Sequence, residues 1–323
     1  MEAMKNVFAL ILLTLLWSGV GVAKDVPDTL SPVSMSDGSP QCELPKENAI
    51  QIDKTLVRYV EAGEGSVVVL IHGNAGSVDD FDFKSLGQLC RNHRVIAVDR
   101  PGHGKSERPD GAASLRYQTR LLHQTLLRLG VIRPVLVGHS WGGSLALAYA
   151  VAFPGELSGI VLLAPAAYAD DSSDQFLRAV LKTPLIGDLS LDLGRLLFGK
   201  RVLKKELARA FYPDSVPDAY LKYAASQWLH HDQLRSYFED EFSLNKELEQ
   251  ISKHYPDIRI PVVVVTGDHD KVVSAKLNAY RLQRSLTTVK LIELKNTGHQ
   301  VPQTHPESIY GALTFISNDE PGK

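Results

Sequence analysis

One serine in this 323-residue chain stands where a nucleophile would stand. The apolar run Val135-Leu136-Val137 leads into Gly138-His139-Ser140-Trp141-Gly142-Gly143, and small residues follow from Ser144 to Ala152. A strand, a Gly-x-Ser-x-Gly turn and a helix, in that order, hold the serine clear of a sheet on a sharp bend. A Cβ at 138 or 142 would collide with the neighbouring strand or helix. The free N–H groups opening the next helix point toward the serine. Serine is a poor nucleophile at neutral pH and needs a base. His299, in Asn296-Thr297-Gly298-His299, sits on a loop that can reach over the sheet edge, take the serine proton and return it to a leaving group. The imidazole in turn needs a carboxylate to fix its tautomer and offset its charge. Gly267-Asp268-His269-Asp270 offers two. Asp270 is preferred, because the turn must leave its strand before a side chain can face the histidine. Asp268 reads as an N–H acceptor within the turn, and Asp170 or Asp171 is a remoter alternative. The tetrahedral intermediate calls for two backbone donors: Trp141, directly after the serine, and Asn74, after His72-Gly73.

These residues need elements to position them. Lys54 to Val60, Ser66 to Ile71, Arg94 to Val98, Val135 to His139, Ile160 to Leu163, Ile260 to Thr266 and Val289 to Leu294 read as strands. Several are continuous β-branched runs, which is the pattern of strands covered on both faces. Helices are expected over Asp79 to Asn92, Ser114 to Gly130, Trp141 to Phe153, Ala275 to Ser285 and Pro306 to Ile316. Strand–helix alternation predicts an α/β fold with a doubly wound, mostly parallel sheet. Ligands in such sheets bind beyond the carboxyl ends of the strands. Ser140, Asn74, Asp270 and His299 all follow strands, and scattered structural polar residues have no reason to gather at one edge. Residues 168–255 carry only helical stretches broken by Pro184, Gly187, Gly199, Pro213 and Pro217, and read as an insertion.

Residues 1–23 read as a signal peptide: Lys5, an apolar run from Val7 to Trp17, and small residues at Gly21-Val22-Ala23 before the cleavage point. An uncleaved anchor is the alternative, and either reading exports the folded part to the periplasm or beyond the cell. Residues 24–47 read as a polar leader, 48–167 with 256–323 as the core, and 168–255 as a helical cap. Cys42 and Cys90 either pair in an oxidising compartment or stay as thiols. No Cys/His spacing resembles a metal site, so no metal and no cofactor are expected. A formal net charge of -2 gives no electrostatic reason to expect nucleic acid. Membrane contact is expected only through the N-terminal segment, if uncleaved. Asp99-Arg100-Pro101-Gly102-His103-Gly104-Lys105-Ser106 lacks the first glycine of a phosphate loop and reads as a tight turn supporting the site.

Taken together, these motifs resemble the α/β-hydrolase superfamily. His-Gly-x at 72–74, Asp-x-Pro-Gly-x-Gly-x-Ser at 99–106, the serine turn at 138–142, Gly-x-x-Asp at 267–270 and Gly-His at 298–299 occur in that family's order over about residues 54–316. The resemblance implies an α/β-hydrolase fold of about eight strands with a helical cap after the sixth. It also implies a serine hydrolase acting on a small or lipid-like carboxylic ester. Ser140 argues against the dehalogenases and epoxide hydrolases of the superfamily, which use aspartate. The Ser-Trp-Gly-Gly run is similar to proline iminopeptidases, and Glu239, Asp240 and Glu241 are acids that could hold a substrate amine. A non-catalytic small-ligand binder is the alternative from another class. The apolar residues Phe176, Leu177, Leu196, Leu197 and Phe198 are expected to roof the pocket.

Overall fold

The computed structural model describes residues 46–81, 87, 89–170, 175–183 and 185–318. Eight strands form one sheet: β1 (Lys46–Ile52), β2 (Thr55–Ala62), β3 (Ser66–Ile71), β4 (His93–Val98), β5 (Val135–His139), β6 (Gly159–Leu163), β7 (Val262–Gly267) and β8 (Val289–Leu294). Their spatial order is β1-β2-β4-β3-β5-β6-β7-β8. β1–β2 and β2–β4 are antiparallel, and every other pair is parallel. This is the mostly parallel sheet that the strand–helix alternation predicts, in the α/β-hydrolase arrangement that the resemblance implies.

The β-branched runs are central strands because both faces are covered. Val69, Ile71, Leu136, Ile160, Leu162, Val262 and Val264 point into one core layer, with the helices α1 (Leu115–Arg128), α2 (Trp141–Ala152) and α7 (Ala279–Ser285). The alternate residues Val68, Leu70, Val137, Val161, Val263 and Val265 point into the other, against the last helix, α9 (Glu307–Asn318). The period of two along each strand thus divides one hydrophobic sequence between two layers.

Between β6 and β7 the described residues form helices only: α3 (Gln175–Lys182), α4 (Ile186–Phe211), α5 (Asp218–Trp228) and α6 (His231–Ile251). A short helix, α8 (Val301–Thr304), follows β8. β1 is an element that the strand pattern does not flag. Its sequence is Lys-Glu-Asn-Ala-Ile-Gln-Ile and it forms the exposed sheet edge, so only one side of it carries an apolar signal. Lys46 and Glu47 therefore belong to the sheet rather than to a leader; the signal and leader readings otherwise lie outside the described residues. The helix expected from Asp79 opens as a 3-10 turn, Val78–Asp80, and only part of the remainder is described. α7 starts four residues later than the apolar pattern suggests.

Candidate active site

Register places the site. Ile71 pairs with Gly138, and His139 pairs with Leu163, so β3, β5 and β6 end level with one another. Here the strand order reverses, which opens a crevice at the carboxyl edge. Ser140 stands in that crevice at φ 52°, ψ -115°, a left-handed conformation that is strained for a residue with a side chain. Its backbone is clamped on both sides. Its N–H donates to Leu163 O at 2.9 Å, and its carbonyl accepts from Gly143 N at 2.9 Å and Ala166 N at 3.2 Å. A Cβ on Gly142 would run into the Ile71 and His72 carbonyls, and one on Gly138 would run into Gly142 itself. The glycines let β5 and α2 lie that close.

His299 and Asp270 are joined. His299 Nδ1 lies 2.8 Å from Asp270 Oδ2, with both side chains buried. The other carboxylate oxygen of Asp270 accepts from Val272 N at 2.8 Å and Val273 N at 2.9 Å. Burial alone would raise the Asp270 pKa. The His299 charge, the His299 hydrogen bond and the two amides outweigh it and hold the carboxyl below its ordinary value. Asp268 instead faces the exposed His269 at 2.7 Å and accepts from Thr297 N at 3.3 Å. Asp170 is tied to Asn245, and Asp171 lies outside the described residues.

The His299 backbone is pinned from two directions. Its N–H donates to Ala210 O of α4 at 2.8 Å, and its carbonyl accepts from His139 Nε2 at 3.0 Å. The rings of His139 and His299 are 4.9 Å apart, centre to centre. Burial and the neighbouring His299 push the His139 pKa down to about 3, so His139 is a neutral donor and not a second base. The residue preceding the serine therefore helps to fix the histidine loop. Nothing in the sequence signals that bond, because it spans 160 positions.

Gly73 lies against the serine turn, where an added Cβ would be 3.1 Å from His139 Nδ1 and 3.2 Å from Ser140 Cβ. The Asn74 side chain is held by the inserted helices and by Arg100. Its Nδ2 donates to Tyr237 O at 3.0 Å and Glu241 Oε2 at 3.2 Å, and its Oδ1 accepts from Arg100 Nη2 at 3.3 Å. Neither the backbone N–H of Asn74 nor that of Trp141 has an acceptor among the described residues. The Trp141 amide opens α2 and has no partner within that helix.

Beneath this loop lies a buried polar cluster. The Arg100 guanidinium sits 3.9 Å from the Trp141 ring centre. It donates to Asp240 Oδ2 at 2.7 Å, Gln118 Oε1 at 3.1 Å and Gly73 O at 3.2 Å. Arg108 and His103 complete the shell of Asp240 at 2.9 and 3.0 Å. Burial would raise Asp240, but Arg100, His103 and Arg108 overcome it and bring its pKa to about 2. His72 links the same loop to the cluster, with Nδ1 on Gly73 O and Nε2 accepting from Arg100 N. The turn at 99–106 thus supports the site as the sequence suggests, but through an arginine whose partner lies 140 residues away.

Ser140, His299, Asn74 and Trp141 open into one cavity of about 650 Å³. Its walls are mostly apolar and come largely from the inserted helices: Phe198, Val202, Leu203, Leu234, Leu244 and Leu248. Glu241 also faces it, half-buried, with its pKa raised by desolvation there. Of the four residues expected to roof the cavity whose side chains are described, only Phe198 lines it. Leu177 packs inside the inserted helices, and Leu196 and Leu197 are exposed because α4 turns its other face to the cavity. The Phe176 side chain lies outside the described set. Among the described residues no three His, Cys, Asp or Glu side chains gather as a metal site.

The family model for the alpha/beta hydrolase fold matches residues 66–306, and the chain belongs to that family. It is 27% identical over 267 residues to 2-hydroxy-6-oxo-6-(2'-aminophenyl)hexa-2,4-dienoic acid hydrolase of Metapseudomonas resinovorans, covering 80% of this chain and 87% of that one. It is 24% identical over 277 residues to the human monoacylglycerol lipase ABHD6, covering 81% and 79%. A solved α/β-hydrolase-fold protein from Burkholderia ambifaria superposes with a TM-score of 0.71 at 23% identity, over 82% of this chain and 96% of that one.

Proposed function

We propose that this chain is an exported serine hydrolase that cleaves carboxylic esters of small or lipid-like substrates. Ser140 Oγ attacks the acyl carbon while His299 takes its proton through Nε2. Asp270 holds the imidazole in the tautomer that leaves Nε2 free and stabilises the imidazolium that forms. The amides of Asn74 and Trp141 hold the oxyanion. His299 then protonates the leaving alcohol, a water replaces it, and the same steps in reverse order release the acid. The reading rests above all on the His299–Asp270 bond of 2.8 Å, at the rim of the cavity into which the strained Ser140 projects.

The apolar cavity walls favour an acyl or alkyl group over a charged one. An aminopeptidase would need free carboxylates to meet a substrate amine. Glu239 and Asp240 are already occupied by Arg108 and Arg100, and Glu241 receives Asn74. Export is supported by the N-terminal apolar run and by Cys90, which is disulfide-bonded; Cys42 lies outside the described residues. The test is turnover of p-nitrophenyl esters of graded chain length beside amino-acid p-nitroanilides. Ester turnover abolished by Ser140→Ala is expected. Anilide turnover without ester turnover, or ester turnover that survives Ser140→Ala, would overturn the reading.

A further inference from the structure

The helix that walls the cavity also carries a row of large apolar side chains that the described residues leave exposed. Leu185, at the start of α4, and Ile186, Leu189, Leu196 and Leu197 within it are exposed, from 53% at Ile186 to 83% at Leu185. The other exposed large apolar side chains among the described residues are Leu127, Ile132, Tyr212 and Val272, spread over other segments. Scattered apolar side chains are ordinary on a surface, whereas five along one helix form a patch. With about 100° of turn per residue, Ile186, Leu189, Leu196 and Leu197 share an arc of about 100°. The opposite arc carries Gly194, Arg195, Phe198, Gly199, Val202 and Glu206, all of which line the cavity.

Charge says what this face would meet. Lys200 and Lys204 continue the leucine arc, and Arg201 and Lys205 flank it, all exposed. No acid falls in the arc. Asp188 and Asp192 lie outside it and are held by Arg235, His231 and Arg195. An apolar stripe that passes into a cationic one, on a chain of formal net charge -2, is local complementarity to a surface that is both oily and anionic.

We propose that this face of α4 docks on an anionic phospholipid bilayer. The leucines enter the boundary between headgroups and acyl chains, and the lysines meet the phosphates. Docking in this way sets α4 between the bilayer surface and the cavity, whose wall its opposite arc forms. Membrane contact then has a source besides any N-terminal segment. The surface itself does not depend on the role given to Ser140.

The test is flotation of the full chain with vesicles of phosphatidylcholine, alone and mixed with phosphatidylglycerol. Three variants accompany it: Leu189→Ser/Leu196→Ser/Leu197→Ser, Lys200→Glu/Lys204→Glu, and Ser140→Ala. All substituted α4 side chains are exposed, so thermal unfolding and turnover of a soluble ester should be unchanged in the first two. The expected result is binding to the mixed vesicles that weakens with salt and falls on the order of tenfold or more in each α4 variant. Ser140→Ala should bind as the parent does, so loss of activity and loss of docking are read separately. No binding to mixed vesicles, or equal binding by parent and α4 variants, would overturn the proposal. So would a dimer in solution that the leucine variant dissociates, since a second copy would then be the occupant.

Discussion

Asp270→Asn tests the hydrogen-bond logic of the site at a single atom. In the parent, one carboxylate oxygen of Asp270 accepts two amides, from Val272 and Val273, and the other faces His299 Nδ1. An asparagine must keep its oxygen toward the two amides. Its NH2 group then points at Nδ1, which becomes an acceptor and forces the ring proton onto Nε2, where it blocks proton uptake from Ser140. Flipping the amide restores the tautomer but sets NH2 against two N–H donors. Two lost hydrogen bonds, with donors left facing donors, cost about 3 kcal/mol. Loss of the charged acceptor for the imidazolium adds about 1.5–3 kcal/mol. The sum is about 4.5–6 kcal/mol, or about 10³–10⁴-fold in kcat/KM at about 1.4 kcal/mol per factor of ten. The assay is steady-state hydrolysis of p-nitrophenyl butyrate, with thermal unfolding to show that the variant is folded. Asp268→Asn is the control and should stay within a few-fold, because Asp268 touches His269 and Thr297 rather than His299. A folded Asp270→Asn enzyme within tenfold of the parent, or an equal loss in Asp268→Asn, would refute the reasoning.

Two further outcomes concern stability. Arg100→Met removes one of the two arginines paired with the fully buried Asp240 and should cost about 3 kcal/mol in urea unfolding, part of which Asp240→Leu in the same chain restores; an unchanged midpoint would contradict this. Acid should destabilise the fold from about pH 6.5 downward. Burial lowers His103 to about 4 and His139 to about 3, from an ordinary value of 6.5, and lowers His72 as well. Between those values the unfolded chain binds protons that the native chain refuses, at a cost of about 3 kcal/mol for each of His103 and His139 by pH 4. Asp80, raised by burial to about 7, works in the opposite sense, since its contribution is lost as pH rises toward 7. Asp99 and Glu241, also raised by burial, act in the same sense as Asp80, but four lowered histidines, His93 with the other three, outnumber these acids, so unfolding free energy should rise with pH from 4 to 6.5. His139→Asn should flatten that rise by about one proton, and an unaltered slope would contradict the assignment.

Much of the fold was legible because the central strands are buried on both faces and therefore read as unbroken Val, Ile and Leu. β1 was not, because an edge strand exposes most of its residues and its pattern is that of a polar linker. Ser140, His299 and Asp270 could be found because each follows a strand in a turn whose residue types already suggest chemistry. Asp268 and Asp270 differ by two positions, and what separates them is the direction of the turn, which brings only the second to His299. The positioning contacts of Arg100 and His139 have no local signature in the sequence. Their partners, Asp240 and the His299 carbonyl, come from segments more than a hundred residues away, and no local pattern encodes such a meeting. Leu196 and Leu197 were misplaced because an apolar run on a helix does not say which face looks inward. The glycines and Arg195 on the opposite side of α4 form the cavity wall instead.

The account stands or falls on whether the Ser140 hydroxyl is the attacking group. Treatment of the pure protein with a fluorophosphonate, followed by digestion and mass spectrometry, should place one phosphonyl adduct on Ser140 itself and none in Ser140→Ala, with labelling suppressed in His299→Gln. An unlabelled Ser140 in a preparation that hydrolyses esters, or an adduct on another residue, would contradict it.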